Sequence, residues 1–241
     1  MSFGSVKLTH NDGTMHHLGI DERAVAPQVV LTPDPLEVPQ YAALLTNAEK
    51  VGEYREYVTY TGLWNGVPLS VMSCGFGCMP MAIAVEELHH LGVRRAAKIA
   101  RCPALLPELR PGTLLAASGA VRGDGATREY VGLPYPAVPD MALLSRLLRQ
   151  GVGYGIFRSH DCAGLETPLT EDGRDRLRRW QALGVSALDG ETSALYVVSG
   201  ILGMQTVSLA ALSENYATGE AAETFDRAAL FCAAAEALTC C

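Results

Sequence analysis

Positive charge is scarce in this chain: 19 Lys and Arg face 26 Asp and Glu, leaving a net charge of −7. No basic block interrupts that balance. Nucleic acid is therefore not an expected partner, because binding a phosphate backbone needs clustered Lys and Arg. Long apolar runs are also missing, and none approaches the roughly 20 residues that span a bilayer, so no membrane partner is expected. The opening MSFGSVKLTHNDG lacks a basic segment followed by an apolar one, so no signal peptide is expected. C-x-x-C pairs are absent. The seven cysteines are scattered and odd in number, which argues for reduced thiols in a cytoplasmic protein rather than a disulfide framework or a metal site. The terminal Cys240-Cys241 pair is similar to a prenylation end, and nothing else in the chain supports that reading. Repeats and low-complexity linkers are missing too. The 241 residues, 49% hydrophobic and 19% charged, read as one well-buried domain acting on small molecules, with no cofactor expected.

Strand and helix patterns alternate along the chain. Residues 1–14 look loose. Gln28 to Thr32 is a short β-type run, and Leu36 to Asn47 reads as a helix after Pro33 and Pro35. Tyr54 to Trp64 and Val67 to Met72 read as two strands joined by Asn65-Gly66, a strong hairpin turn. Further strands are expected at Arg95 to Ile99, Gly112 to Val121, Gly153 to Arg158, Val185 to Leu188 and Thr206 to Leu212. Helices are expected at Met141 to Gln150, Pro168 to Gly184, Glu191 to Ile201 and Glu220 to Leu238. Three prolines keep 130–139 out of regular structure. The pattern argues a three-layer α/β domain with a mixed central sheet.

The chain is organised around VMSCGFGCMPMAIAVEELHHLG, Val71 to Gly92. It opens as a strand and passes through the small-residue loop Cys74-Gly75-Phe76-Gly77-Cys78. It becomes a helix from Met81 to His90, with Pro80 near the first helical position. Backbone N–H groups at such a turn can point at an oxyanion or a sugar hydroxyl, or the turn can be a tight connection with nothing bound. Cys74 and Cys78 read as small apolar fillers rather than metal ligands. The S-x-G-x-G turn, the following I-A-V-E-E-L and L-G-V-R together resemble the uridine phosphorylase branch of the nucleoside phosphorylase superfamily, over most of the chain. That resemblance implies a nucleoside-phosphorylase-like α/β fold, a homodimer or a hexamer built from dimers, and cleavage of an N-glycosidic bond.

Such cleavage needs a nucleophile at the anomeric carbon, a hold on the ribose hydroxyls as positive charge develops, and stabilisation of the departing base. The lead-in Trp180-Gln181-Ala182-Leu183-Gly184-Val185 is similar to uridine phosphorylases, and it puts Glu191 on the family's ribose-binding Glu, with Gly190 in place of a Met. Glu191 reads otherwise as a first-turn helix carboxylate. The resemblance puts His17 on a His that reaches a neighbour's sugar site, and Gly75 in the Gly-rich turn. Ser213-Glu214 stands where purine-cleaving relatives carry Ser-Asp, which implies a base-side role for Glu214 and a poor fit to uridine. The uracil-reading Gln and Arg are absent. Asp161, in Ser159-His160-Asp161-Cys162-Ala163-Gly164, falls in the base loop or caps a turn.

The anion site departs most from the family pattern. P-G-D-P-x-R-V becomes Thr32-Pro33-Asp34-Pro35-Leu36-Glu37-Val38, so one N–H donor is lost and a carboxylate replaces an Arg. R-x-G-T-T-G becomes Lys98-Ile99-Ala100-Arg101-Cys102-Pro103, and Arg55 is retained in Tyr54-Arg55-Glu56-Tyr57. In hydrolytic relatives a Glu near this place acts as base on water, a role the resemblance offers Glu37, which otherwise reads as a surface carboxylate. The expected function is thus hydrolysis of a nucleoside or nucleoside-like metabolite. Two alternatives stand beside it: phosphorolysis with an anion site rebuilt from Arg55, Lys98 and Arg101, and a repurposed or non-catalytic member of the fold.

Overall fold

The structure, a computed structural model, describes residues 9–240. Most of the loose N-terminal stretch (residues 1–8) and Cys241 of the terminal pair lie outside the described residues. The described strands are β1 Gln28–Thr32, β2 Thr46–Tyr54, β3 Tyr57–Trp64, β4 Val67–Ser73, β5 Arg95–Ala104, β6 Leu114–Gly123, β7 Gly153–His160, β8 Val185–Asp189 and β9 Gln205–Asn215. The described helices are α1 Val38–Ala42, α2 Cys78–His90, α3 Ala126–Tyr130, α4 Met141–Arg149, α5 Glu171–Ala182, α6 Thr192–Leu202 and α7 Arg227–Thr239.

All nine strands join one sheet, and its centre is β5. This strand pairs in parallel with β1 on one side and with β9 on the other. β9 runs antiparallel to β6, β6 and β7 run parallel, and so do β7 and β8. β8 returns to β5 through Ala104 and Ala187, closing a ring of five strands. β1 to β4 extend the sheet beyond that ring. The apolar residues of α2 and α6 pack on one face, and those of α1, α4 and α7 on the other. The sheet is thus mixed and lies between two helical layers, as the alternating patterns imply.

Local chemistry explains the elements that the sequence places well. Asn65 and Gly66 both take positive φ, 49° and 81°, the conformation of a type I′ hairpin turn. Asp140 accepts from the amides of Ala142 and Leu143 to start α4, and Asp226 accepts from Ala229 to start α7. The proline-bearing stretch 130–139 is held from below. Arg122 donates to the carbonyls of Thr127, Val131, Gly132 and Tyr135.

Four expectations need correction. The helix expected over Leu36 to Asn47 is only the short α1, and the chain then enters β2. That strand is an edge whose residues are mostly exposed, so it carries no apolar alternation and is specified by pairing with β3. The single early hairpin is therefore a three-stranded meander. Pro80 is the third residue of α2, not its first, because Cys78 and Met79 already belong to the helix. α7 begins seven residues later than Glu220, at the Asp226 cap.

Candidate active site

A cavity of about 680 Å³ opens at the carboxyl ends of β1, β5, β7 and β8, facing the start of α2. Such ends are where parallel strands leave backbone and loop groups free for a ligand. Pro33, Asp34 and Glu37 follow β1, and Ala100 to Pro103 come from the end of β5. His160 ends β7, and Asp161, Ala163 and Glu166 follow it. Leu188 and Asp189 end β8, Gly190 and Glu191 link it to α6, and residues 76–80 lead into α2.

Glu191 is held firmly on this wall. It stands at the N-cap position of α6 but makes no capping bond. Its neighbour Asp189 accepts from the Thr192 amide instead, at 3.2 Å. The Glu191 carboxylate is thereby freed to accept from the Gly77 amide at 2.8 Å and to pair with Lys98 Nζ at 3.0 Å. Gly77 reaches this position at φ 94°, which favours glycine. Gly190 packs against it, with the Gly77 nitrogen 3.5 Å from where a Cβ would stand, an ordinary contact that leaves room for a side chain.

Lys98 does not line the cavity. It is 0% exposed and donates to Asp189 at 2.6 Å, so both of its carboxylate partners lie inside the protein. Burial pushes its pKa down, but Asp189 and Glu191 outweigh burial and hold it well above the ordinary 10.5. A buried ammonium saturated by two carboxylates is not available to an external anion. The expected anion-binding role of Lys98 is corrected to that of an internal counter-charge. Ser159 completes this floor, donating to Asp189 at 2.6 Å and accepting from the Ser193 amide.

Glu37 lies on the cavity wall and is 8% exposed, which is not a free surface carboxylate. Its Oε2 accepts from Thr32 Oγ1 at 3.2 Å. Its Oε1 lies 3.9 Å from Arg101 Nε and 3.6 Å from an Arg227 terminal nitrogen. Those gaps exceed a direct hydrogen bond, so Oε1 keeps its lone pairs for another donor. Arg101 is on the wall as expected, whereas Arg227 was not anticipated. It opens α7, 190 residues from Glu37 in sequence, and no local pattern links the two.

The base-loop side holds Asp161, which accepts from the Gly125 amide at 2.7 Å. It also holds a group the sequence did not single out, Glu166. This carboxylate accepts from Arg158 at 2.7 Å and Trp180 Nε1 at 3.0 Å, His160 Nε2 lies 3.6 Å away, and Arg158 stacks over Trp180 at 4.0 Å. Burial pushes the Glu166 pKa up, but the hydrogen bonds from Arg158, the nearby His160 and the bond from Trp180 together hold it below the ordinary 4.5.

The remaining expected residues lie elsewhere. Glu214 is exposed near the end of β9 and does not line the cavity. Strand alternation sends it to solvent while Asn215 turns inward and is consumed by the carbonyls of Leu106 and Leu109. Its base-side role is corrected accordingly. Gly75 is not on the wall either, because it is packed under Pro80, 2.8 Å from where a Cβ would stand. His17 is clamped by Glu87, with Nδ1 at 2.6 Å from the carboxylate, and Arg55 sits in the turn between β2 and β3 at φ 54°. Neither lines the cavity of its own chain. Cys78 donates to the Gly190 carbonyl at 3.1 Å, and burial pushes its thiol well above the usual range. Among the described residues no group of His, Cys, Asp and Glu is arranged to hold a metal ion, and no helix is long and apolar enough to cross a membrane.

The wall is acidic: Asp34, Glu37, Asp161, Glu166, Asp189 and Glu191 contribute to it, against Arg101 and His160 on the wall and Lys98 and Arg158 pairing Asp189, Glu191 and Glu166 from behind. A neutral, hydroxyl-rich ligand suits such a wall better than a dianion.

Comparisons with known proteins agree with the architecture. Residues 27–240 match the family model described as Phosphorylase superfamily. A uridine phosphorylase of Treponema pallidum is 30% identical over 217 residues, covering 83% of this chain and 82% of the relative. A uridine phosphorylase of Thermococcus kodakarensis is 32% identical, covering 87% of this chain and 80% of the relative. A guanosine phosphorylase of Halorubrum lacusprofundi is 27% identical, with 84% of each covered. The crystal structure of uridine phosphorylase from Vibrio fischeri superposes with a TM-score of 0.80 at 30% identity, covering 86% of this chain and 87% of the other.

Proposed function

This chain belongs to the phosphorylase superfamily, and from that premise we propose that it cleaves the N-glycosidic bond of a nucleoside or nucleoside-like metabolite, with water as the attacking group. Glu191, clamped by Gly77 and Lys98, holds the ribose hydroxyls and faces the positive charge that develops on the sugar. Glu37 accepts the proton of the attacking water. The base departs towards His160 and Asp161, which line the same cavity. The observation that carries the reading is Glu37 itself, a carboxylate on the cavity wall with one oxygen free of direct hydrogen bonds.

A panel of nucleosides incubated with and without phosphate and followed by chromatography tests this. Free pentose formed at a rate independent of phosphate is the expected result. The second reading is phosphorolysis, favoured by the names of the relatives, which are uridine and guanosine phosphorylases. Turnover rising with phosphate, with pentose 1-phosphate as product, would replace the first reading by the second. Glu214, the proposed purine-side acid, lies outside the cavity, so the base is tested across both classes rather than presumed.

A further inference from the structure

The Glu166 carboxylate is held on one side and open on the other. Its Oε1 accepts from Trp180 Nε1 at 3.0 Å and pairs with an Arg158 terminal nitrogen at 2.7 Å, while Arg158 Nε donates to both oxygens at 2.8 Å. Arg158 is itself fixed between the Trp180 ring and Gly123, whose missing side chain leaves the space the guanidinium fills. Among the described residues, Oε2 accepts no hydrogen bond besides the one from Arg158 Nε, and it faces His160 Nε2 at 3.6 Å. Glu166 and His160 both line the cavity, and the His160 side chain is only 9% exposed, so the ring is packed as well as paired. With Nε2 turned to Glu166, Nδ1 is the ring nitrogen left for a ligand. The neighbouring Asp161 is exposed and spends Oδ2 on the Gly125 amide.

We propose that His160 is the catalytic acid for the departing base and that Glu166 is the residue that positions it. A base expelled as an anion leaves slowly, and a proton delivered as the bond breaks lets it leave neutral. When the C–N bond to the anomeric carbon breaks, its electron pair goes to the base. The Nδ1–H proton of the imidazolium passes to a ring nitrogen or carbonyl oxygen of that base. His160 is left as a neutral imidazole, still held at Nε2–H by Glu166. Solvent returns the proton before the next turnover, as Glu37 releases the one it took from water. Glu166 suits this role because burial, which pushes its pKa up, is outweighed by Arg158, His160 and Trp180, so it is a carboxylate at neutral pH and gives the imidazolium a counter-charge. The inference rests on the glycosidic reading and holds whether water or phosphate attacks, because the base departs in either case.

The test compares two leaving groups on one sugar. The first substrate is whichever of adenosine, inosine, guanosine, cytidine and uridine is cleaved fastest, and its base needs the proton. The second is para-nitrophenyl riboside, whose phenolate leaves unprotonated. Both kcat and KM are measured for the unaltered protein, His160→Gln and Glu166→Gln. Circular dichroism confirms folding, and His160→Asn or Glu166→Ala replaces a variant that does not fold. His160→Gln is expected to lower kcat on the nucleoside roughly 10²-fold or more, with KM changed less than about threefold, and to slow the nitrophenyl riboside at least roughly tenfold less. Glu166→Gln is expected to show the same selective loss at roughly tenfold on the nucleoside. A purely structural role would slow both substrates alike. Equal losses on the two substrates therefore overturn the proposal, as does a folded His160 variant with full nucleoside activity, or an unaltered protein that cleaves the nitrophenyl riboside but no nucleoside. A folded Glu166→Gln without the selective loss overturns the positioning role. Cleavage of neither substrate, with or without phosphate, is instead failure of the glycosidic reading, and the proposal falls with it.

Discussion

Lys98 Nζ meets Glu191 Oε2 at 3.0 Å from inside the core, with both side chains almost wholly removed from solvent. A lysine in a strand that ends at a cavity would be expected to serve a ligand. Here it serves a carboxylate that faces the ligand. The ammonium also holds Asp189, so one buried cation fixes two acidic residues of the β8–α6 connection.

Lys98→Met is therefore expected to cost about 3–5 kcal/mol of stability, because it strands two buried carboxylates without their cation. Urea denaturation monitored by circular dichroism reads this directly. A loss below about 1 kcal/mol would show that the carboxylates find other partners or water.

Glu191→Gln and Glu37→Gln are expected to fail differently. Glu191→Gln weakens one of the two Lys98 pairings, so it should lower both stability and ribose binding. Glu37→Gln should leave nucleoside affinity nearly intact and slow single-turnover hydrolysis roughly 10²-fold or more, the scale of losing a general base. Both residues are buried, 4% and 8% exposed, so stability must be measured alongside the rates. Equal kinetic losses in the two variants would contradict the division of roles.

The Glu166 cluster predicts an acid limit. Its folded-state pKa is depressed, so its stabilising contribution is complete above the ordinary value of 4.5 and is lost as pH falls through the lower folded value. Glu166→Gln should thus lower the melting temperature at pH 7, and the difference from the unaltered protein should shrink below about pH 4.5. A gap that stays constant down to pH 3 would mean that Glu166 contributes through packing rather than charge.

Arg55 and His17 lie off the cavity of their own chain, and we propose that a second copy brings them to the site. Light scattering should find a dimer or hexamer, and Arg55→Ala should reduce kcat/KM with little change in stability, since it occupies an exposed turn. A fully active monomer at micromolar concentration would remove both residues from the mechanism.

Patterns written within a few neighbouring residues were enough for much of this molecule. The Asn65-Gly66 turn, the buried runs Gln28–Thr32 and Val67–Ser73, and the strand-loop-helix around Gly77 each follow from backbone preference and apolar periodicity, which act locally. The family resemblance, rather than any local pattern, singled out Glu37, Asp161, Gly190, Glu191 and Arg101, which share one cavity wall. Tertiary structure decided the rest. β2 becomes a strand only because β3 offers it a partner, as its own residues are mostly exposed. Glu214 and Asn215 are adjacent in sequence, and strand pleat alone sends one to solvent and the other inward. Whether Lys98 is a ligand for anions or a counter-charge for Glu191 depends on groups 91 and 93 residues away, and Glu37 meets Arg227 across 190. Electrostatic partnership is set by distance in space and by burial, and neither is written in the spacing of charges along the chain.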